Sequence, residues 1–224
     1  SPNCALMFDS PFPDFISFYC SQNLHDQEFQ LLSEEHAIAE SFGSQKRRDE
    51  FTLGRICAHR ALSRFGLESE PILRNSETRE PFWPNSVWGS ITHSAGFAAV
   101  AVGLKKEING IGIDLESFSS ALDIKISKHV CVTSELEWLK SLETKQARRA
   151  LRIIFSAKES IFKCLYPRTK TYFSFKDAVV SVNDDDNKFS FKILKSFPSK
   201  IQKDFPQHGR YSEMDKMLLT SVYI

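Results

Sequence analysis

The stretch that most constrains the fold lies midway along the chain, at residues 110–116, and reads GIGIDLE. In an extended strand successive side chains point to opposite faces. Two isoleucines and a leucine therefore share one face, while Asp114 and Glu116 share the other with a glycine. Two carboxylates on a rigid strand are the kind of oxygen ligands that Mg²⁺ prefers. An ordinary amphipathic strand with solvated carboxylates explains the same pattern, so this stretch alone leaves both interpretations open.

The composition is typical of a soluble globular protein. Of the 224 residues, 42% are hydrophobic and 25% are charged, which allows a substantial core in one large domain or two small ones. The net charge of +1 creates no overall field that would attract a nucleic acid or a membrane. We therefore expect no nucleic-acid partner, and we expect any basic site to be local.

The cysteines indicate a reducing compartment. There are five of them, widely spaced and without a C-x-x-C pair, which is atypical of a disulfide framework or a zinc site. No stretch reaches the length of a transmembrane helix, and the first residues lack the pattern of a signal peptide. We expect a cytoplasmic protein without a transmembrane segment, and peripheral association with a membrane is left open.

Periodicity and capping signals predict a mixture of helices and strands. The predicted helices cover residues 33–43, 46–65, 134–142 and 146–165. The predicted strands cover residues 15–19, 98–102, 111–116, 178–182, 189–194 and 217–224. Pro167 is expected to end the last helix, and Ser134 with Glu137 is expected to form a capping box. A polar turn at residues 104–109 divides the chain into an N-terminal half, 1–104, and a C-terminal half, 105–224.

Two basic or polar clusters in the N-terminal half suggest anion binding. Arg48 and Arg55 are seven residues apart, so a helix places them on one face. Hydroxyl residues alternate around His93 in the segment GSITHS, and hydroxyls and imidazoles both donate hydrogen bonds to anions. A solvated helix surface and a structural histidine are the ordinary explanations of these patterns, and for the arginine pair alone the ordinary one is favoured.

The familiar nucleotide and hydrolase motifs are absent from the sequence, which has no P-loop, nucleophile elbow or zinc-protease motif. A third carboxylate, Glu159, lies on the helix 146–165 with Lys163 one turn later; a surface ion pair is the ordinary explanation of this pair. Carboxylates that hold Mg²⁺ and lysines that neutralise phosphates are the components of a phosphoryl-transfer site. Together with the strand carboxylates, they favour that class of chemistry.

Four segments, taken in order, resemble the motifs of the 4′-phosphopantetheinyl transferases. They are REPFWP at 79–84, GSITHS at 89–94, IGIDLE at 111–116 and FSAKESIFK at 155–163. The resemblance covers roughly residues 46–180 and is closest to the enterobactin-synthase branch of the larger, monomeric class. Each motif alone is weak, but the ordered combination is highly specific.

The resemblance implies both a fold and a reaction. The fold would be α+β: a pseudo-twofold pair of similar subdomains, each a small, mostly antiparallel sheet packed with helices, with the ligand cleft between them. The enzyme would transfer the 4′-phosphopantetheine arm of coenzyme A to a serine of an apo acyl, peptidyl or aryl carrier protein. The reaction would depend on Mg²⁺, with Mn²⁺ as an alternative, and would release adenosine 3′,5′-bisphosphate. Siderophore synthesis by a nonribosomal route is the implied pathway.

The resemblance also implies roles for particular residues. The expected metal ligands are Asp114, Glu116 and Glu159. The expected catalytic residues are Glu159, as the general base directly or through a water, and Lys163, which neutralises the phosphates and the leaving group. The residues expected to bind coenzyme A are Arg48, Arg55, Arg79, Thr92, His93, Lys158 and Lys163. His93 would contact the 3′-phosphate.

Two other classes of function fit part of the pattern. One is a protein that binds coenzyme A or a nucleotide without turnover, although a pure binder has no need of a third carboxylate. The other is a different Mg²⁺-dependent phosphoryl or nucleotidyl transferase. The mass added to a carrier protein distinguishes the last class from a phosphopantetheinyl transferase.

Overall fold

The computed structural model describes residues 8–196 and 207–224. In the N-terminal half, strands and helices follow one another along the chain. These elements are β1 (Ser17–Ser21), α1 (Ser33–Glu40), α2 (Gln45–Ser63), β2 (Leu73–Arg74), β3 (Pro81–Phe82), β4 (Val87–Ser94) and β5 (Phe97–Leu104). Helix α2 starts after Ser44, whose side chain accepts a hydrogen bond from the amide of Arg47 and thereby caps the helix.

The C-terminal half contains the longest helix and a larger sheet. Its elements are β6 (Ile111–Ser117), α3 (Ser127–Val130), α4 (Thr133–Lys140), α5 (Thr144–Thr169), β7 (Ala178–Asn183), β8 (Lys188–Ile193), β9 (His208–Met214) and β10 (Met217–Tyr223). Among the residues described, no helix is both long enough and apolar enough to span a membrane.

Each half contains an antiparallel sheet with a long helix packed on it. The N-terminal sheet has the strand order β1-β5-β4, and the C-terminal sheet has the order β6-β10-β9-β8-β7. Helix α2 packs on β5 and β1, and α5 packs on β6 and β10. This arrangement confirms the expected α+β fold of two similar subdomains. The exact division at residues 104–109 remains a prediction.

Strand β6 is enclosed on both faces. Ile111, Ile113 and Leu115 are at most 2% exposed and join the apolar core between the two sheets. On the opposite face, Gly112 lies against the backbone of α5: a Cβ at this position would overlap the carbonyl oxygen of Ser160. The absence of a side chain therefore lets helix and strand approach closely. The carboxylates of this strand face a helix, so the interpretation of two solvated carboxylates is wrong.

A buried glutamate ties each long helix to its surroundings, and it does so in the same way in both halves. In the N-terminal half, Glu35 accepts hydrogen bonds from the amides of Leu32 and Ile72 and pairs with His59 of α2, with 2.7 Å from Oε1 to Nε2.

In the C-terminal half, Glu135 accepts from the amides of Val132 and Val180 and pairs with Lys158 of α5, with 2.7 Å from Oε1 to Nζ. We name these the Glu35 strut and the Glu135 strut.

Several predicted elements need correction. Residues 87–94 form a complete strand, β4, because their alternating hydroxyl and apolar side chains suit two different surroundings on its two faces. Helix α5 continues through Pro167 to Thr169 and ends where Lys170 adopts a left-handed conformation. The capping carboxylate of α4 belongs to Glu135, not to Glu137, because Glu135 is the third residue of the helix as it forms. Helix α3 and strand β9 were not predicted.

Candidate active site

The carboxylates of β6 are held in register by hydroxyls of β4. The Ser90 hydroxyl accepts a hydrogen bond from the amide of Ile113 (3.1 Å), and the Thr92 hydroxyl accepts from the amide of Leu115 (3.0 Å). Thr92 is 4% exposed. Its oxygen joins the two halves of the molecule, and Thr92 lines neither of the two pockets described below, so the structure gives it a structural contact and its binding role remains a prediction.

Asp114 is fixed by side chains of α5. Ser156 Oγ donates to Asp114 Oδ2 (2.9 Å), and Lys163 Nζ lies 3.1 Å from Asp114 Oδ1. The Lys163 ammonium also donates to the carbonyl of Ile113. The strand and the helix thus meet through hydrogen bonds at a buried carboxylate, which is 5% exposed as a residue.

Glu116 and Glu159 complete a crowded acidic group around Asp114. Burial raises the pKa of Glu116 to about 8, and the charge of Asp114 and a hydrogen bond to it act in the same direction. Burial and the charge of Asp114 also raise the pKa of Glu159. Arg152 lies 3.5 Å from Glu116 and only partly offsets this repulsion. Ionisation of all three carboxylates would place more negative charge here than the neighbouring cations neutralise.

This donor set fits a hard divalent cation in its chemistry. All three side chains offer carboxylate oxygens, and the raised pKa values of Glu116 and Glu159 show a crowding of negative charge that a cation would relieve. Among residues 8–196 and 207–224, however, no group of three or more histidine, cysteine, aspartate or glutamate side chains converges closely enough to hold a metal ion. The structure brings the three carboxylates into one electrostatic group, and the metal site remains a prediction.

A cleft of about 420 Å³ lies between the two halves beside Glu159 and Lys163. Its walls mix aromatic and charged side chains, with residues from β3, β4 and their connection on one side and from α5 on the other. The aromatic lining residues are Phe82, Trp83, Trp88, Phe162 and Tyr166. Asp114 and Glu116 do not line this cleft.

A basic pocket of about 290 Å³ lies next to the cleft, and Arg79 lines both. Its charged lining residues are Arg47, Glu50, Arg55, Arg74, Arg79 and His93. Arg79 has a φ of 65°, an uncommon backbone conformation for a residue with a side chain. Four guanidinium groups on one pocket wall constitute an anion-binding surface.

The arginines of α2 differ from their expected arrangement. Arg48 donates to the carbonyl of Phe42 (2.6 Å) and to Gln45, and it does not line the pocket. Side chains near a helix start lean toward the N-terminus, so Arg48 reaches back to the chain before α2. Arg47 takes its place in the pocket.

Arg55 lines the pocket, although it is only 6% exposed, and its role in binding coenzyme A remains a prediction. Its Nε donates to the carbonyl of Ile72 (2.6 Å). Burial lowers the pKa of Arg55 to about 10, and the charge of Arg74 contributes to the decrease.

Lys158 lies outside the cleft and the basic pocket. Its ammonium is 1% exposed and donates to the carbonyls of Val130 and Phe175 as well as to Glu135. Since an ammonium group has three donors, these bonds satisfy all of them. The structure places Lys158 in the Glu135 strut and away from the cleft, and its binding role remains an untested prediction.

The prediction missed Arg74 and Glu50, and it gave Arg47 no role of its own. Arg74 lies on strand β2, which has only two residues and is therefore too short to show a periodic pattern in the sequence. Glu50 lies one turn before Gly54, whose missing side chain allows α2 to approach Ile91 of β4. That glycine is the signal that could have placed the same helix face beside β4.

The comparisons with known proteins agree with this architecture. Two similar α+β halves with a charged cleft between them correspond to the 4′-phosphopantetheinyl transferase superfamily, whose sequence model matches residues 110–212. The model of the 4′-phosphopantetheinyl transferase N-terminal domain matches residues 33–103. The chain belongs to the 4′-phosphopantetheinyl transferase family and is an enzyme of that class.

Individual relatives refine this assignment. The 4′-phosphopantetheinyl transferase Svp of Streptomyces mobaraensis is 36% identical over 201 residues, which cover 89% of this chain and 81% of that protein. Npt of Nocardia iowensis is 36% identical over 154 residues, covering 69% and 67% of the two chains. Enterobactin synthase component D of Escherichia coli K12 is 34% identical over 154 residues, covering 66% and 68%. The enterobactin branch is thus a distant likeness, because Svp matches more of the chain at higher identity.

Proposed function

We propose that this enzyme transfers the 4′-phosphopantetheine arm of coenzyme A to a serine hydroxyl of an apo carrier protein and releases adenosine 3′,5′-bisphosphate. One observation carries the proposal. Glu159 and Lys163 lie one turn apart on α5, and both line the cleft between the halves beside the buried carboxylate of Asp114. The basic pocket continues from that cleft through Arg79.

The nucleotide end of coenzyme A belongs in the basic pocket in this proposal. Arg47, Arg55, Arg74 and Arg79 supply positive charge for its phosphates, and His93 supplies an imidazole at the edge. The pantetheine arm would extend along the cleft past its aromatic residues, whose apolar surfaces suit a chain with few charges.

Asp114, Glu116 and Glu159 would hold Mg²⁺ or Mn²⁺. A bound cation would neutralise charge on the pyrophosphate of coenzyme A. Lys163 is placed to neutralise the phosphates and the leaving group from the cleft side, since its ammonium already lies against Asp114. Glu159 would accept the proton of the carrier serine, and its raised pKa brings it closer to the range in which a general base works well.

The narrower part of the proposal concerns the acceptor. The likeness to enterobactin synthase component D supports a carrier domain of a siderophore-forming nonribosomal peptide synthetase. A panel of apo acyl, peptidyl and aryl carrier proteins, compared by rate of modification, tests this part separately from the chemistry.

The decisive test is the mass of an apo carrier protein after incubation with coenzyme A, Mg²⁺ and the enzyme. We expect a gain of one phosphopantetheine arm, and a variant carrier with alanine in place of its serine should gain nothing. Addition of a single phosphate would indicate the other Mg²⁺-dependent transferases. Binding of coenzyme A without any modification would indicate a binding protein and overturn the proposal.

Two variants assign the residues. Asp114→Ala should abolish labelling while the protein retains its circular-dichroism spectrum. Lys163→Ala should lower kcat more than it raises KM for coenzyme A, because its charge is most useful when the leaving group departs. Equal losses in both would reduce Lys163 to a binding residue, and surviving activity in Asp114→Ala would remove Asp114 from the site.

A further inference from the structure

The basic pocket contains one carboxylate, and its presence there needs a reason. Glu50 lines the pocket together with four arginines and His93, and it is the only acidic residue among the described lining residues. Its side chain is 26% exposed. A negative charge beside an anion-binding surface opposes anion binding by simple electrostatics.

Glu50 is directed at the histidine and not at the arginines. Its Oε2 lies 3.8 Å from Nδ1 of His93, and within the described part of the chain no arginine nitrogen comes within 4.0 Å of its carboxylate. Nδ1 is thus the ring nitrogen that faces the carboxylate, which leaves Nε2 on the far side of the ring. A carboxylate next to one imidazole nitrogen favours a proton on that nitrogen and orients the ring, as it does for histidines that bind metals. Nε2 then donates a hydrogen bond only when the ring carries both protons.

The side chain of His93 is 48% exposed and lies among charges of both signs. Burial lowers the pKa of His93, and the positive charges of Lys163 on α5 and Lys46 on α2 act in the same direction. The charge of Glu50 opposes this shift most strongly, and a hydrogen bond with the backbone acts in the same direction. Without Glu50, the imidazole would be less often protonated.

We propose that Glu50 is a positioning residue for His93, holding the doubly protonated imidazole through Nδ1 so that Nε2 donates a hydrogen bond to the 3′-phosphate of coenzyme A. The inference rests on the proposed function, because it assumes that the nucleotide end of coenzyme A occupies the basic pocket. It makes Glu50 a determinant of selectivity for coenzyme A over dephospho-coenzyme A, which lacks that phosphate.

For the change in coenzyme A affinity on substitution of Glu50, this role predicts the opposite sign from simple electrostatics. Glu50→Gln makes the pocket more positive and would, through charge alone, tighten the binding of coenzyme A. We expect it instead to weaken binding about 5- to 10-fold, the lower range for removal of a residue that orients a histidine ligand. Dephospho-coenzyme A should bind Glu50→Gln as well as it binds the wild type.

The experiment measures Kd for both compounds by calorimetry and KM and kcat in the transfer assay. Asp49→Asn is the matched control, since Asp49 is the neighbouring residue on α2, carries the same charge and does not line the pocket. The double variant Glu50→Gln/His93→Gln should bind coenzyme A no more weakly than His93→Gln alone. The decline in coenzyme A affinity with rising pH should also begin at a lower pH in Glu50→Gln than in the wild type.

Three results would overturn the inference. They are tighter binding of coenzyme A by Glu50→Gln, an equal loss for both compounds, or independent effects of the two substitutions in the double variant. Failure of the wild-type enzyme to modify a carrier protein would contradict the proposed function instead. The binding measurements remain informative in that case because they need no turnover.

Discussion

The two halves of the molecule contain equivalent struts, each linking a buried glutamate to a residue of a long helix. The residue that follows the strut partner along that helix has opposite charge in the two halves. Glu35 and Glu135 each tie a helix start, a later backbone amide and a long helix together. The residue after the strut partner is Arg60 in α2 and Glu159 in α5.

The charge of Arg60 is balanced by neighbouring groups, whereas the charge of Glu159 is not. The guanidinium of Arg60 pairs with Asp26 (2.7 Å) and stacks over the rings of Tyr19 and Phe29. Glu159 has a raised pKa and forms no ion pair within the described residues. One half therefore contributes stability at this position, while the other accepts an electrostatic cost where the candidate site lies. Such costs are typical of functional positions.

Substitutions of Glu159 and Arg60 should give the largest difference, and the difference should be in the rate of transfer. Glu159→Gln is expected to slow phosphopantetheine transfer on the order of 10³-fold, because it removes the proposed base. Arg60→Gln should leave transfer within about threefold of wild type, since Arg60 lies in no cleft described for this site. Initial rates with saturating coenzyme A and carrier protein measure both. A Glu159→Gln enzyme with more than a tenth of wild-type activity would contradict the contrast.

The struts should differ in their sensitivity to loss of the carboxylate. Glu135→Ala is expected to cost about 3–5 kcal/mol in the free energy of unfolding, because it leaves the Lys158 ammonium buried without a counter-charge. Glu35→Ala should cost less, since His59 can remain neutral. Urea unfolding with unchanged m-values measures both.

A rescue separates charge from packing in this comparison. Glu135→Leu/Lys158→Met replaces both charges with apolar groups and should recover part of the loss. An equal cost for Glu35→Ala and Glu135→Ala, or no recovery in the double variant, would show that the buried ammonium is not the cause.

Glycine substitutions test how closely each long helix approaches its sheet. Gly112→Ala should destabilise the protein by about 1–3 kcal/mol or more, because the new Cβ lies 2.6 Å from the amide nitrogen of Cys164, which is fixed in α5. Gly54→Ala should be close to neutral: its Cβ meets only Ile91 Cγ2 at 3.2 Å, and alanine favours the helix by about 1 kcal/mol. Thermal unfolding compares the stabilities of the two variants. Equal losses of stability would show that the two helices do not differ in how closely they approach their sheets.

The smallest expected effect is the dependence of folding stability on pH. Its sign should differ between Asp26 in the N-terminal half and Glu159 in the C-terminal half. Burial alone would raise the pKa of Asp26, but hydrogen bonds from Arg60 and from the amides of Glu28 and Phe29 outweigh it and lower the pKa. Because the folded pKa is below the unfolded one, this stabilisation is present above about pH 4 and is lost as the pH falls further. Asp26→Asn should therefore cost about 1–2 kcal/mol at pH 7 and progressively less below pH 4.

Glu159 should behave in the opposite way in metal-free protein. Its folded pKa is raised above the unfolded value, so the ionised group disfavours the folded state at neutral pH, and this cost disappears as the pH falls toward the unfolded pKa. Glu159→Gln should thus be more stable than wild type at pH 8 and equal to it near pH 4. Chemical denaturation of Asp26→Asn, Glu159→Gln and the wild type across this pH range, in the presence of EDTA, measures both changes in stability. Changes of the same sign for the two variants would contradict the predicted difference between the halves.

Periodic elements were predictable because their signal is local. The alternation in residues 111–116 predicted β6, and apolar spacing predicted the greater part of α2 and α5. Strand β4 escaped prediction because its hydroxyls bond to the amides of β6, a use that no short-range pattern reveals. Strand β9 forms a hairpin with β10, the next strand in the chain, and was missed because its residues are mostly polar and show no apolar alternation.

Side-chain direction was the least predictable property of the candidate site. Lys158 and Glu159 are adjacent in one motif, yet a helix turns about 100° between neighbours. The lysine consequently enters the Glu135 strut, whereas the glutamate lines the cleft. A similar rotation separates Arg47, which lines the basic pocket, from Arg48, which bonds to the carbonyl of Phe42.

The sequence by itself determined the motifs, the alternating strand and the family to which they point, because these depend on residue identity and spacing along the chain. Only the tertiary structure decided which charged groups share an environment. Asp114 meets Lys163 across 49 residues, and burial against α5 raises the pKa of Glu116 and of Glu159. Desolvation and distant charge pairs depend on how the halves pack, so the chemistry of the carboxylates of β6 was decided only when α5 closed over that strand.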